Sequence, residues 1–552
     1  MATFAAIDLG SNALRLRIVE ADAPSLDREQ LSLLPESPSS FREVTSLRAP
    51  VRLGSEVFVT GRLAAASIGQ ACNALREFRQ AMDAAKVDVY RATATSAVRE
   101  ASNGATLVER ARREAGIELE VIEGVEEARL IQLAVVRRLG LADRRALLVD
   151  VGGGSTELTY LDRGRNAFAM SLPVGTVRLL ETYLRGARTV DRSRQKLLFE
   201  GIDRALAEAA PQLRKVPFEV VVGTGGSVDT LSELCPLKGG HAGYPRAVDM
   251  GAARTLLNKL FGLTVEERRD GFGLRPDRAD TIVTATSIFV RVAEMFKANA
   301  VVAPGVGLKE GILEELVDKY FDRWDKESAT RTVIDGCVRL GRRYGFDQPH
   351  GELVASFATS LFDGMMSSHG LGERDRLLLR AAAILHDIGD YVRYDGHHKH
   401  TYYLIQHSDI MGLTPGERGL VANIARYHRK SPPDPSHPNF RELDKEARAK
   451  VRSLAAILRI ADALDREHLG KVKSVVARVE PSKRRLTLQV TGDDERELEE
   501  WTVHAKSELL RDVFDLEVQI EGAKAPFRTE SASSPPPASR PPTPSRPPAP
   551  KP

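Results

Sequence analysis

The residues best suited to chemistry follow a predicted buried strand near position 150. Residues 147–158 read LLVDVGGGSTEL, an apolar run that ends in Asp150 and continues into glycines and hydroxyl residues. Glycines let a backbone come close to phosphate oxygens, and successive backbone N–H groups form a concave site for such an anion. The pattern therefore indicates a phosphate-binding loop at the end of a strand.

Two further segments repeat this pattern. Residues 6–16 read AIDLGSNALRL, and residues 220–227 read VVVGTGGS. In the first of these segments, Asp8 and Leu16 have the same separation in the sequence as Asp150 and Leu158. Three strand-to-glycine turns, two of them with an aspartate, predict a duplicated α/β lobe with a phosphate held between the two copies.

The composition limits the classes of protein to consider. A chain of 552 residues with 42% hydrophobic and 28% charged residues predicts several globular domains, and no apolar run is long enough for a membrane span. We therefore expect a cytoplasmic protein with no membrane partner. Cys72, Cys235 and Cys337 are scattered, which argues against a disulfide framework. A net charge of +3 gives no reason to expect nucleic acid, and any polyanion would need a local basic patch.

The first predicted lobe covers residues 1–125 and the second covers residues 126–308. In the first, a strand over residues 87–95 leads into a short helix that brings Arg99 to the strand end, where its guanidinium either binds phosphate or is merely solvated. In the second, Glu126 and Glu127 lie in the first turn of a helix. In one interpretation both carboxylates only complement the helix dipole; the alternative is that one of them orients a water molecule.

The remainder of the chain differs in composition and in predicted secondary structure. Residues 309–472 are predicted to form an all-α domain rich in histidine, and residues 473–522 a small α+β domain with a hairpin. Residues 523–552 are rich in proline and are expected to be disordered. The adjacent pair His386 and Asp387 on an apolar helix resembles the ligand order of His-Asp (HD) metal phosphohydrolases, and imidazole with carboxylate suits divalent transition metals.

Taken together, these segments are similar to those of the exopolyphosphatase/guanosine pentaphosphate phosphohydrolase (Ppx/GppA) family. The shared stretches lie at residues 8–12, 94–100, 124–131, 150–158 and 223–227, and downstream at 386–389, 397–405 and 426–430. The resemblance implies a duplicated actin-like, ribonuclease-H-like α/β ATPase fold followed by the HD-like helical domain of the long family members. It also implies a homodimer.

The resemblance assigns roles to individual residues. Glu127 would be the general base for water, Asp150 and Glu157 would bind Mg²⁺, and Arg99 would help to position the terminal phosphoryl group. The residues expected to bind the substrate phosphates are Asp8, Ser11, Asn12, Gly152, Gly153, Gly154, Ser155, Gly225, Arg429 and Lys430. A second divalent metal in the HD-like domain would be held by His350, His386, Asp387, His397, His428 and Asp462.

Several functions fit these residues. The first hypothesis is an exopolyphosphatase that releases terminal orthophosphate from inorganic polyphosphate, with Arg429 and Lys430 in a basic track for the chain. The alternative is hydrolysis of guanosine pentaphosphate to the tetraphosphate at the same site. A non-catalytic sensor of nucleotide or polyphosphate would not need the carboxylate of Glu127, and no segment resembles the insert of a sugar kinase. Two departures from the family pattern are Ala13, where relatives carry a hydroxyl residue, and His407.

Overall fold

The first sequence repeat forms a five-stranded mixed sheet. The computed structural model describes residues 1–22, 41–322 and 326–521. The strands of this sheet are β1 (Ala2–Leu9), β2 (Leu14–Ala21), β3 (Phe41–Ala49), β4 (Val89–Ala94) and β5 (Leu119–Val121). Their order is β3-β2-β1-β4-β5, with β1 antiparallel to β2 and parallel to β4. Asp8 therefore lies near the carboxyl end of the central strand.

The second repeat forms a six-stranded sheet with the same connections. Its strands are β6 (Ala146–Val151), β7 (Thr156–Asp162), β8 (Arg165–Leu172), β9 (Val220–Thr224), β10 (Ala247–Asp249) and β11 (Ala300–Val302). The order is β10-β11-β9-β6-β7-β8, with β6 antiparallel to β7 and parallel to β9. Apart from the added β10, this is the order of the first sheet, so the predicted duplication is confirmed.

Helices cover both sheets. In and between the two lobes they are Gly54–Thr60, Ala65–Ala84, Ser96–Glu100, Gly104–Ala115, Gly124–Leu139, Thr176–Leu179, Arg192–Leu213, Gly226–Leu234, Met250–Phe261, Val265–Phe272, Pro276–Ala279, Ile282–Phe296 and Leu308–Tyr320, with a π-helix at Leu180–Leu184. Each sheet has its own apolar core on one face. A third core joins the other faces to Gly124–Leu139 and Leu308–Tyr320, so both sheets share these two helices.

One predicted helix is divided in the structure. The sequence predicts a single long helix from residue 275 to residue 298, whereas the structure has Pro276–Ala279 followed by Ile282–Phe296. Proline begins the first of these helices, where its missing N–H costs nothing. Twelve side chains of Ile282–Phe296 are buried, which explains why its apolar residues recur on nearly every face.

The chain is divided into two units. The first consists of Met1–Phe346 and Ile388–Ala422, and the second of Asp347–Asp387 and Asn423–Pro552. The later helices are Lys326–Arg343, Gln348–Gly364, Met366–His369, Glu373–Leu385, His397–Gln406, Pro415–Arg426, Pro438–Arg441, Lys445–Ala463, Glu497–Lys506 and Glu508–Phe514, with 3₁₀ turns at Ile388–Tyr391 and Pro481–Lys483. The C-terminal region is thus rich in helix, while the proposed domain bounds remain predictions.

A three-stranded sheet belongs to the second unit. Its strands are β12 (Val472–Glu480), β13 (Arg485–Gly492) and β14 (Glu517–Glu521). β12 and β13 form the expected hairpin, and β14 adds parallel to β13. The predicted tail at 523–552 lies outside the described residues. Within those residues, no helix combines the length and hydropathy that crossing a bilayer requires.

Candidate functional site

Three buried carboxylates meet where the two lobes face each other. Glu127 lies in the first turn of Gly124–Leu139, Asp150 near the end of β6, and Glu157 near the start of β7. The hairpin register pairs Asp150 with Glu157, and one oxygen of each of the three carboxylates lies within 4.8 Å of the others. We call Glu127, Asp150 and Glu157 the carboxylate triad.

Burial and mutual repulsion favour the protonated forms of the triad. Burial raises the pKa of Asp150 to about 6, although a hydrogen bond from Thr224 opposes this shift. Burial, followed by the charge of Asp150, raises the pKa of Glu157 to about 7. Burial and the charges of Glu157 and Asp150 also raise the pKa of Glu127, while Arg99 lowers it.

The triad has the features of a cation site. The Oε2 atoms of Glu127 and Glu157 are both buried, and neither has a hydrogen-bond partner. The other oxygen of Glu157 accepts a hydrogen bond from Ser171 at 2.8 Å. Buried carboxylate oxygens without donors are costly unless a cation is bound, and an all-oxygen donor set suits Mg²⁺. The residues present therefore fit the magnesium ion that the sequence predicts.

The glycine loops of the two repeats are in contact next to the triad. A Cβ atom added to Gly153 would lie 2.9 Å from the Cβ of Ser11 and 3.3 Å from the backbone nitrogen of Asn12. Gly225 has a φ of 88°, and an added Cβ would lie 3.0 Å from the carbonyl oxygen of Val151. Glycine at both positions is thus needed for the loops to approach each other.

The loops and the triad border a cavity of about 400 Å³. The predicted site residues that line it are Asp8, Ser11, Asn12, Glu127, Asp150, Gly152, Gly153, Ser155 and Gly225. Glu157 is not among the lining residues and belongs to the site through the triad. Gly154 packs instead against Ser96 and Phe58, since an added Cβ would lie 2.2 Å from the Ser96 hydroxyl.

Arg99 lies at the edge of this arrangement. Its guanidinium donates a hydrogen bond to the carbonyl oxygen of Ile122 at 2.6 Å and lies 3.9 Å from Glu123. Its charge lowers the pKa of Glu127 and of Glu157. Arg99 therefore acts on the triad electrostatically, and its contact to phosphate remains a prediction.

Sequence reasoning missed a cluster of cations at the cavity. They are Arg15, Arg48, Arg275, Arg278 and Lys309. Arg278 is buried and donates to the Ser227 hydroxyl at 2.5 Å, and burial together with the charge of Arg15 lowers its pKa to about 10. A buried guanidinium surrounded by other cations is a site for a bound anion. The sequence could have suggested Arg278 through the segment RPDRAD at 275–280, directly before a mainly apolar helix.

Polar contacts connect the two lobes at the rim of the cavity. Asn12 donates to Asp277 at 3.3 Å and accepts from Arg52 at 2.9 Å. Arg52 also pairs with Asp280 at 2.6 Å, and Arg48 pairs with Asp277. Asn12 was predicted to bind phosphate, and in the structure its side-chain amide already contacts both lobes.

The second unit contains the predicted histidine cluster. His350, His386, Asp387, His428 and Asp462 lie close together in it, with the imidazole Nε2 atoms of His350 and His386 separated by 3.2 Å. Two residues that the sequence did not suggest join them, Asp465 and His468. The sequence could have suggested these two residues only through their position, because both follow the helix that carries Asp462.

Three further predicted residues are divided between the two units. His397 belongs to the first unit, where its Nδ1 atom lies 2.6 Å from Asp390. Arg429 and Lys430 belong to the second unit, directly after Pro415–Arg426. Arg459 donates to the Lys430 carbonyl oxygen at 3.1 Å. The basic track that was predicted to include Arg429 and Lys430 stays a prediction.

Known proteins resemble the chain over most of its length. The chain is 27% identical over 429 residues to guanosine-5'-triphosphate,3'-diphosphate pyrophosphatase of Vibrio campbellii, covering 77% of this chain and 80% of that protein. It is 26% identical over 458 residues to the protein of the same name from Photobacterium profundum, covering 83% and 85%.

Solved structures resemble more than half of the chain. An exopolyphosphatase from Cytophaga hutchinsonii matches with a TM-score of 0.50 and 24% identity, covering 57% of this chain and 98% of that protein.

The model of the Ppx/GppA phosphatase family matches residues 35–320, and the model of domain III of the same phosphatases matches residues 332–509. The chain therefore belongs to the Ppx/GppA phosphatase family.

Proposed function

We propose that the protein hydrolyses the terminal phosphoanhydride bond of inorganic polyphosphate and releases orthophosphate. The observation that carries this proposal is the carboxylate triad beside two glycine loops and a cluster of cations in one cavity. Phosphoryl transfer needs positioning, charge neutralisation and one group that orients the nucleophile. Membership of a phosphatase family supports the same reaction class.

In this reaction a water oxygen attacks the terminal phosphorus while the bond to the bridging oxygen breaks. Glu127 accepts the proton of the attacking water, and the raised pKa of its buried carboxyl group suits it to hold that proton. Asp150 and Glu157 would hold the Mg²⁺, which when bound neutralises charge on the phosphate oxygens. The products are orthophosphate and a chain that is shorter by one phosphate.

The remaining residues position the terminal phosphate. Gly153, Ser155 and Ser11 line the cavity, so the backbone N–H groups of the first two and the hydroxyl of Ser11 can donate to the phosphate oxygens. Arg278 adds a charged donor beside the third glycine loop, where a Cβ atom added to Gly226 would lie 2.8 Å from the arginine guanidinium. Asp8 is held by Arg15 at 3.1 Å. The charge of Arg99 lowers the pKa of Glu127 and so favours the ionised form that accepts the proton.

The lining of the cavity favours a polyphosphate chain over a nucleotide. Among the described residues, five cations border it, and none of the lining side chains is Phe, Tyr or Trp. A purine is commonly bound by stacking on an aromatic ring, whereas a polyphosphate needs only charge along its length. Guanosine pentaphosphate is the second candidate, because the curated relatives bear the name of an enzyme for that class of compound.

The test is orthophosphate release with Mg²⁺ from long polyphosphate and from guanosine pentaphosphate. Glu127→Gln should lower kcat by about 10²–10⁴, the usual contribution of a general base. Glu126→Gln is the matched control, because Glu126 lies in the same turn but pairs with Arg129 at 2.7 Å. Preference for the nucleotide would select the second candidate, and release from neither compound would refute the proposal.

A further inference from the structure

The guanidinium group of Arg178 joins the glycine loop at residues 152–155 to the first lobe. Its Nε atom donates a hydrogen bond to the carbonyl oxygen of Gly154 at 2.6 Å, and a terminal nitrogen donates to the two carboxylate oxygens of Glu100 at 2.6 and 2.7 Å. On the basis of the proposed function, we propose that Arg178 is a positioning residue. It orients the peptide group between Gly154 and Ser155 so that the Ser155 N–H group can donate to the terminal phosphate.

The carbonyl groups of this loop accept hydrogen bonds from the short helix Thr176–Leu179. The carbonyl oxygens of Gly152 and Gly153 accept from backbone N–H groups of the helix at distances between 2.8 and 3.0 Å. The carbonyl oxygen of Gly154 accepts from the side chain of Arg178 instead. The backbone therefore supplies the first two contacts, and only the third depends on the identity of a side chain.

Each of these carbonyl groups determines the direction of the N–H group that follows it. The C=O and N–H groups of a trans peptide bond point in opposite directions, so the N–H groups of Gly153, Gly154 and Ser155 point away from the helix. In the part of the chain that the structure describes, no backbone carbonyl accepts from these three groups. Gly153 and Ser155 line the cavity, and successive N–H groups of this kind bind anions. The Ser155 N–H group thus keeps its direction only while Arg178 holds the preceding carbonyl.

Two residues of the first lobe hold the guanidinium in place. Glu100 accepts its hydrogen bonds, and the centre of the Phe58 ring lies 4.1 Å from the Cζ atom of Arg178, which is a stacking contact. The side chain of Arg178 is only 18% exposed. Phe58 also packs against the loop, because a Cβ atom added to Gly154 would lie 2.4 Å from the ring. A planar guanidinium can stack and donate in two directions at once, which an ammonium group cannot do.

The competing explanation is that Arg178 only stabilises the contact between the lobes. Its loss would then lower the melting temperature without changing how the cavity binds phosphate. Arg291 provides a matched control, because its guanidinium donates to both oxygens of Asp203 at 2.7 and 2.6 Å and lies 5.5 Å from the centre of the Phe199 ring. Arg291 is not among the residues that line the cavity. Arg291→Gln therefore removes the same kinds of contact and leaves the loop intact.

The test is the affinity of the full-length protein for orthophosphate, measured by isothermal titration calorimetry with Mg²⁺. Arg178→Gln should weaken this affinity about tenfold, which is near the lower end of what one hydrogen bond to a charged group contributes. Arg291→Gln should leave it unchanged. Glu100→Gln should weaken it about threefold in the parent and have no further effect in the Arg178→Gln variant, because Glu100 acts through Arg178.

Orthophosphate release from long polyphosphate gives a second readout. The cations of the cavity also bind the chain, so Arg178→Gln should lower kcat at least tenfold and change KM much less. Melting curves check that each variant is folded. If Arg178→Gln does not fold, Glu100→Gln gives the same test at a side chain that is 40% exposed.

The binding and rate measurements separate the two proposals. A parent protein that binds orthophosphate but releases none from polyphosphate would refute the proposed function, and the binding data would still decide the role of Arg178. That role would be overturned by equal orthophosphate affinity of the parent and Arg178→Gln, by an equal loss in Arg291→Gln, or by no binding to the parent. A change in KM alone would contradict it as well.

Discussion

Replacement of Glu157 by glutamine should stabilise the metal-free protein, which is an unusual effect for a change at a buried polar residue. At pH 8, above the raised pKa values of Asp150 and Glu157, the triad without metal holds at least two charged carboxylates whose oxygens lie within 4.8 Å of each other. The amide keeps the oxygen that accepts from Ser171 and supplies a donor to the partner-free oxygen of Glu127. The variant therefore removes a charge without creating a cavity.

The size of the effect follows from two independent routes. Two unit charges 4.8 Å apart repel by about 3.5 kcal/mol at an effective dielectric constant of about 20. A pKa raised from 4.5 to about 7 corresponds to about 3 kcal/mol at 1.36 kcal/mol per unit. We expect the melting temperature of the first unit to rise by about 5 °C or more in chelator at pH 8.

Differential scanning fluorimetry measures the melting temperatures of the parent and of Glu157→Gln, first in chelator and then with Mg²⁺. Mg²⁺ should raise the melting temperature of the parent and have a much smaller effect on Glu157→Gln. Glu118→Gln is a suitable control, since Glu118 is an exposed glutamate in the same unit. An unchanged or lower melting temperature of Glu157→Gln in chelator would refute the conclusion that repulsion among the triad carboxylates destabilises the metal-free protein.

Three further outcomes follow from the site. Because the pKa values of Asp150 and Glu157 are raised to about 6 and about 7, the metal-free protein should lose stability as pH rises from 5 to 8, which thermal melts measure. Over the same pH range the Mg²⁺ concentration that gives half the maximal rate should fall, which Mg²⁺ titrations of the activity measure. Arg278→Gln should raise KM for polyphosphate about 10–100-fold with a smaller change in kcat, since a charged hydrogen bond contributes about 1.5–3 kcal/mol. Gly153→Ala should separate the phosphate loops and lower orthophosphate release at least tenfold, whereas Gly69→Ala, with no atom within 4 Å of the added carbon, should not.

Much of the fold of the first unit was predictable because its signals are local. Each sheet begins with an apolar strand, an aspartate and a glycine turn, so the duplication is visible as a repeat in the sequence. The interruption between Pro276–Ala279 and Ile282–Phe296 was not predicted. Asp280, which lies in the interruption, contacts Arg52, a partner more than two hundred residues away in the sequence.

The sites were predictable to different degrees. The roles of Glu127, Asp150 and Glu157 came from a family resemblance, since a glutamate in the first turn of a helix is usually a dipole complement. Arg278 escaped notice because an arginine near a helix start is ordinarily solvated. The pairing of Asp465 with His350 arises only when two helices far apart in sequence are packed together.

The path of the chain between the two units has a consequence for synthesis and truncation. The chain leaves the first unit at Phe346, returns for Ile388–Ala422 and leaves again. On a ribosome, the first unit therefore cannot acquire its last segment until residue 422 has emerged, after part of the second unit has been made. A fragment that ends at residue 346 would lack Arg418, which lies 3.9 Å from Glu123 at the start of the helix that carries Glu127. Shortened forms of this protein should be designed by spatial unit, with the returning segment retained.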